Sequence, residues 1–147
     1  MTFYSHTLNP TQNKILHQLT FTKPQFYLGG GTALALQLGH RTSVDFDFYA
    51  PRKFDNQQMM QTISQLFPGT DTSSKQPENT FRLDVMGTEV SAFYYPYPLL
   101  DQLVDYGPVF LASLTDIAAM KTAAVIQRAR QRDYPNRHQV TTNKFVC

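Results

Sequence analysis

Two aspartates one residue apart, Asp45 and Asp47, stand inside the apolar run SVDFDFYA. Three glycines, Gly29, Gly30 and Gly31, followed by Thr32, stand upstream in YLGGGTALALQLGH. Side chains of an extended segment alternate between faces, so Asp45 and Asp47 share one face and Val44, Phe46 and Phe48 the other. Helical geometry would set the two carboxylates about 200° apart. With the apolar face packed on helices, the carboxylates lie on the open face or its rim. Neighbouring carboxylates repel, and a cation between them offsets that cost most directly; an all-oxygen donor set suits a hard ion such as Mg²⁺, which brings phosphates with it. The glycines allow a tight turn and close backbone approach, after which the amides opening the next helix can hold a phosphate. Each feature also has a plainer explanation, a strand-to-helix turn for the glycines and a solvated sheet face for the aspartates.

The surrounding elements must position these residues. NPTQNKILHQL predicts a helix with Asn9 as N-cap, Pro10 at the first helical position, and Ile15, Leu16 and Leu19 as its apolar stripe. PQFYLGG reads as a short buried strand, Thr32 as the cap of the helix ALALQL, and Gly39 as its terminator. SVDFDFYA is the clearest strand, and Asp55 can cap a helix running through Met59, Met60, Ile63, Leu66 and Phe67. PGTDTSSKQPENT is a polar, turn-rich surface loop. FRLDVM and EVSAFYY form a hairpin joined at Gly87 and Thr88 with a turn that is not ideal, and VFLAS a last short strand. SLTDIAAMKTAAVIQRARQRD is the longest helical pattern, with Ser113 and Asp116 at capping-box spacing. The order predicts a mixed-sheet α/β domain.

At 147 residues and 41% hydrophobic content, the chain suffices for one domain with its own core. The lone cysteine, Cys147, excludes an intrachain disulfide framework and suits the cytoplasm. No stretch reaches the roughly 18 apolar residues of a membrane span. The formal net charge is only +2, but from Lys121 onward Lys121, Arg128, Arg130, Arg132, Arg137 and Lys144 face the single acid Asp133, which allows an anionic partner such as nucleotide or RNA. Arg128 and Arg132, four apart, can form one basic helix face, equally compatible with an ordinary solvated surface. Tyr94, Tyr95 and Tyr97 could make an interface or simply pack.

GGGTALALQLGHRTSVDFDFY and SLTDIAAMKTAAVIQRARQRDY resemble the AbiEii/AbiGii toxin family of nucleotidyltransferase-like proteins. The glycine-helix element with a strand Asp-x-Asp is similar to the wider polymerase-beta-like nucleotidyltransferase superfamily. The resemblance is firm over residues 26–50 and 111–134 and loose between them. It implies an α/β (α+β) fold, a nucleotidyltransferase-like mixed β-sheet packed with helices, over residues 1–134. Residues 135–147 would form a polar C-terminal tail, without the family's further helical region. By resemblance, Gly30, Gly31 and Thr32 match the nucleotide-phosphate loop, and Asp45 and Asp47 the metal-binding and catalytic pair. Lys121 matches a helical lysine that contacts phosphate, and Asp133 an acid in the RD motif. Arg41, in the family's GHR position, would meet phosphate or pair with an aspartate; His40 beside it suits a structural hydrogen bond.

The implied activity is Mg²⁺-dependent transfer of a nucleoside monophosphate from an NTP to an acceptor hydroxyl, on tRNA or other RNA. The setting would be a toxin–antitoxin or phage-defence system, with a cognate antitoxin protein as a further partner, a cytoplasmic location and no membrane. Two departures support an alternative, a catalytically impaired or truncated nucleotide-binding regulatory domain. A third carboxylate is not evident: Asp84 is the local candidate, but the family position corresponds better to Ser91. After Asp133 the family's second acid is replaced by Asn136, and Pro135 interrupts the helical register.

Overall fold

The structure, a computed structural model, describes residues 2–133, with side chains described through Gln131. The expected tail over 135–147, with Pro135, Asn136 and Cys147, lies outside the described residues. Helix α1, Pro10–Gln18, opens with a reciprocal cap. Asn9 Oδ1 accepts from the Gln12 amide at 2.7 Å, and Gln12 Oε1 accepts from the Asn9 amide at 2.8 Å. Strand β1, Tyr27–Gly29, runs directly into α2, Gly30–Leu38, which ends on Gly39 in the left-handed region (φ +66°). Strand β2 is Phe46–Ala50, and α3, Asn56–Leu66, starts on Asp55, whose carboxylate accepts from the Gln57 amide at 2.9 Å.

Strands β3, Thr80–Val85, and β4, Thr88–Tyr94, form the expected hairpin. Its turn residues are Met86 and Gly87 rather than Gly87 and Thr88. Both have positive φ, +53° and +88°, as a tight two-residue hairpin turn requires. Short strands β5, Val104–Asp105, and β6, Phe110–Leu111, precede α4, Leu114–Asp133. Ser113 Oγ accepts from the Asp116 amide at 3.0 Å, and buried Asp116 also accepts from the Leu100 and Asp101 amides, tying α4 to the preceding loop.

The six strands make one mixed sheet in the order β3-β4-β2-β1-β6-β5. β2 pairs antiparallel with β1 and parallel with β4. One face carries Leu28, Phe46, Phe48, Leu83, Val85 and Val90, which join Ile15 and Leu16 of α1, Leu36 of α2 and Met60 and Ile63 of α3 in a single core. Fully burying side chains of this size contributes roughly 1.5–3 kcal/mol each. The opposite face carries Tyr27, Asp47, Tyr49, Arg82, Glu89, Ser91 and Phe93 by register and alternation.

Two local expectations need correction. Gly29, not Thr32, occupies the N-cap of α2, because the helix starts two residues before Thr32. The strand starts at Phe46, and Val44 is 70% exposed rather than buried. The cause of the second lies in side-chain bonds that hold the segment before β2, and these also engage the Thr32 hydroxyl. The Thr32 hydroxyl donates to the Asp45 carbonyl and bonds the Ser43 hydroxyl, while Gln12 Nε2 donates to the carbonyls of Ser43 and Val44, each at 3.0 Å. The segment is therefore held by α1 and α2 instead of a strand ladder, and Val44 points to solvent.

Candidate functional site

The topology alone brings the glycines to the aspartates. β1 ends at Gly29 and passes straight into α2, while β2 returns antiparallel beside it with Asp47 opposite Gly29. The opening of α2 therefore faces the start of β2. A shallow cavity of about 200 Å³ there is lined by Gly31, Thr32, Arg41, Ser43, Asp45 and Asp47, together with Thr42 and Val44. The free amides at the helix start present partial positive charge toward it.

The packing around the glycines is tight. Gly30 has φ +64°, and a Cβ on it would lie 2.9 Å from Asp47 Oδ2. A Cβ on Gly31 would lie 2.5 Å from an Arg41 guanidinium nitrogen. One glycine thus admits the carboxylate to the helix start, and the next lets an exposed guanidinium lie against it. The helix-opening glycines, a guanidinium and a carboxylate pair share one small concavity, and Thr32 fixes their separation by clamping α2 to the backbone of Asp45.

Asp47 is pushed up from 3.8 to about 6, first by burial, then by the negative charges of Asp45 and Glu89, with Arg82 opposing them. This carboxylate stands in excess negative charge, the condition a bound cation relieves. Glu89 and Arg82 were not picked out by the sequence reading. Ser91 is fully buried directly across from Asp47, Arg82 pairs with Ser91 from β3, and Glu89 lies two residues from Ser91 on the same face. Glu89 Oε2 is 3.9 Å from Arg82 and accepts from Ser91 Oγ at 3.5 Å. The alternation of EVSAFY could have flagged Glu89, but only with the β2–β4 register in hand. Replacing Glu89 by Gln removes one charge that raises Asp47, so the Asp47 carboxyl is expected to titrate at lower pH; carbon-13 NMR of labelled aspartate measures it, and an unchanged midpoint would refute the coupling.

The other predicted residues fall elsewhere. Asp84 is exposed on β3 and, paired with Glu89, lies on the same sheet face as Asp47, but it does not line the cavity, and its Oδ1 accepts from the Gly87 amide at the hairpin turn at 2.8 Å. His40 is exposed and Lys121 is exposed on α4; neither lines the cavity. Asp133 closes α4, and its side chain lies outside the described residues. Among the described residues no three His, Cys, Asp or Glu side chains converge as a metal-ligand group. Among them, too, no helix is long and apolar enough to cross a membrane.

Comparison with known proteins matches the chain to a family. The family described as nucleotidyl transferase AbiEii toxin, type IV TA system, matches residues 14–108. An uncharacterized protein of Aquifex aeolicus (strain VF5) is 40% identical over 114 residues, which cover 74% of this chain and 54% of that protein. The chain thus spans about half the length of this curated relative. A solved structure of a candidate nucleotidyltransferase from Thermotoga maritima aligns with a TM-score of 0.59 at 14% identity, covering 88% of this chain and 95% of that one. At that identity the likeness establishes the fold, a nucleotidyltransferase fold.

Proposed function

Because the chain belongs to the AbiEii nucleotidyl transferase toxin family of type IV toxin–antitoxin systems, we propose that it moves a nucleoside monophosphate from an NTP to an acceptor hydroxyl, with pyrophosphate leaving. The observation that carries this reading is Asp47, opposite Gly29 at the opening of α2 and sharing one cavity with Asp45, Gly31 and Arg41.

The donor set fits Mg²⁺. This ion keeps several waters and is commonly held by one or two carboxylates plus substrate phosphates, so Asp45 and Asp47 suffice without a third side chain. When bound, the ion supplies charge neutralisation for the phosphates and the leaving pyrophosphate. The chain's own residues orient the reactants: the amides of Gly30, Gly31 and Thr32 grip phosphate oxygens, and Arg41 places a guanidinium beside them. Lys121 and Asp133 join this reading through the family resemblance. Lys121 would reach phosphate from α4, and Asp133 would act near the end of that helix. The acceptor we propose is RNA, tRNA included, with an antitoxin protein as the regulating partner and phage defence as the setting.

A second reading, a nucleotide-binding regulatory domain, is favoured by Ser91 at the position facing Asp47, where a third carboxylate would assist an attacking hydroxyl. Incubation with each radiolabelled NTP, Mg²⁺ and total tRNA separates the two. Label in RNA, lost in Asp47→Asn, supports the transferase; nucleotide binding without incorporation supports the regulatory domain.

A further inference from the structure

A second concavity, about 270 Å³, lies between the segment after β4 and α4, lined by Tyr95, Tyr97, Met120, Ala123, Ala124 and Gln127. Its apolar floor and open aromatic rim contrast with the polar carboxylate cavity. Tyr97 is 63% exposed, and its ring meets that of Tyr95 edge-on at 4.9 Å.

The rings connect this cleft to the carboxylate face of the sheet. Tyr49 lies two residues beyond Asp47 on the same face of β2, stacked on Tyr27 at 5.9 Å and meeting Tyr95 at 5.7 Å. With a strand rise of about 3.3 Å per residue, the cleft lies within roughly 20 Å of Asp47, the reach of a few nucleotides of extended strand. The helix bordering the cleft is cationic. From Ile117 to Gln131 it carries exposed Lys121, Arg128 and Arg130 and no acid. Arg128 and Arg130, two residues apart, fall on opposite edges of the helix face that lines the cleft. Aromatic rings flanked by cations are the chemistry that holds unpaired nucleic acid, the rings stacking a base and the cations meeting the phosphates on either side.

We propose that the Tyr95–Tyr97 cleft is a stacking subsite for one unpaired base of the RNA acceptor, with Arg128 and Arg130 taking the adjoining phosphates. The proposal rests on the transferase reading above and adds where its acceptor is held. Charge complementarity favours an RNA strand over a second copy of this chain, whose matching helix would bring like charges together.

The test is fluorescence anisotropy of the full chain with a labelled, unstructured RNA 12-mer and with the same sequence as a duplex. The single strand is expected to bind more tightly than the duplex. Tyr97→Ala should weaken it about tenfold, Tyr97→Phe should leave it within about twofold, and Arg128→Glu/Arg130→Glu should weaken it and flatten its salt dependence. Exposure of Tyr97 makes a folding defect unexpected, and thermal melts of each variant check this. Asp45→Asn/Asp47→Asn should lose Mg²⁺-dependent NTP binding while Tyr97→Ala keeps it, so failure of the carboxylate site and failure of the cleft give different results. Three outcomes would overturn the proposal: unchanged RNA affinity in Tyr97→Ala, weakened binding of mononucleotide NTP by that variant, which would make the cleft a donor-base pocket, or a dimer in light scattering that Tyr97→Ala dissociates, which would make its occupant a second copy.

Discussion

The Asp47→Asn protein is expected to be more stable than wild type at pH 8 and indistinguishable from it near pH 3. The sign follows from the direction of the shift. The folded protein holds the Asp47 proton more tightly than the unfolded chain, with 3.8 raised to about 6 by burial and by Asp45 and Glu89. Stability associated with the protonated form is complete below the unfolded value and is lost as pH rises through about 6. Above neutrality the ionised carboxylate costs up to about 3 kcal/mol, which the amide does not incur. In a domain of this size that corresponds to roughly 5–10 °C in Tm, read by melts across pH. The same substitution should abolish Mg²⁺-dependent nucleotide binding. Mg²⁺ with nucleotide should therefore raise the Tm of wild type and leave that of Asp47→Asn unmoved. A variant less stable than wild type at pH 8 would show that Asp47 serves the fold.

Adjacent glycines give the second large effect, through a contrast. Gly30→Ala places a Cβ in left-handed backbone, 2.9 Å from Asp47 Oδ2. The backbone alone costs about 1–2 kcal/mol, and overpacking against the carboxylate adds about 1–3 kcal/mol. Both stability and nucleotide affinity should fall. Gly31→Ala meets only the end of the exposed Arg41 side chain, which can swing away, and alanine suits a helix better than glycine by up to about 1 kcal/mol. Its Tm should hold or rise while affinity for nucleotide drops about tenfold, the loss expected when a guanidinium leaves a phosphate. Denaturant melts and calorimetric titration of the two proteins check this. Equal behaviour of the two would contradict the assignment of Gly30 to the carboxylate and Gly31 to the guanidinium.

Local signals in the chain carried most of the scaffold. Asn9, Asp55 and Gly39 mark helix ends because capping chemistry is decided within one turn, and Phe46 and Phe48 declare their face because strand alternation is local. The strand's start is not legible locally, for the complementary reason. Val44 fits the alternation, but Thr32 and Gln12, 12 and 32 residues away, hold its segment off the ladder, and no local pattern encodes such contacts. Strand β6 lies inside the run VFLAS that reads as a short strand, whereas β5 has two residues, too few for any periodicity. At the site, Gly31, Thr32, Arg41, Asp45 and Asp47 could be gathered from a 17-residue window because β1, α2 and β2 are consecutive. Glu89 and Arg82 belong to a parallel crossover and its hairpin, so their nearness to Asp47 depends on a register that the sequence does not state.

On the proposed reading, the aspartate pair and the glycine-opened helix form one cation-dependent nucleotide site. Isothermal titration with each NTP, with and without Mg²⁺, on wild type and on Asp45→Asn/Asp47→Asn tests it most directly. At least one NTP is expected to bind wild type in a manner that requires Mg²⁺, and this binding is expected to be lost in the double variant. Equal binding by the two proteins, or binding indifferent to Mg²⁺, would contradict it.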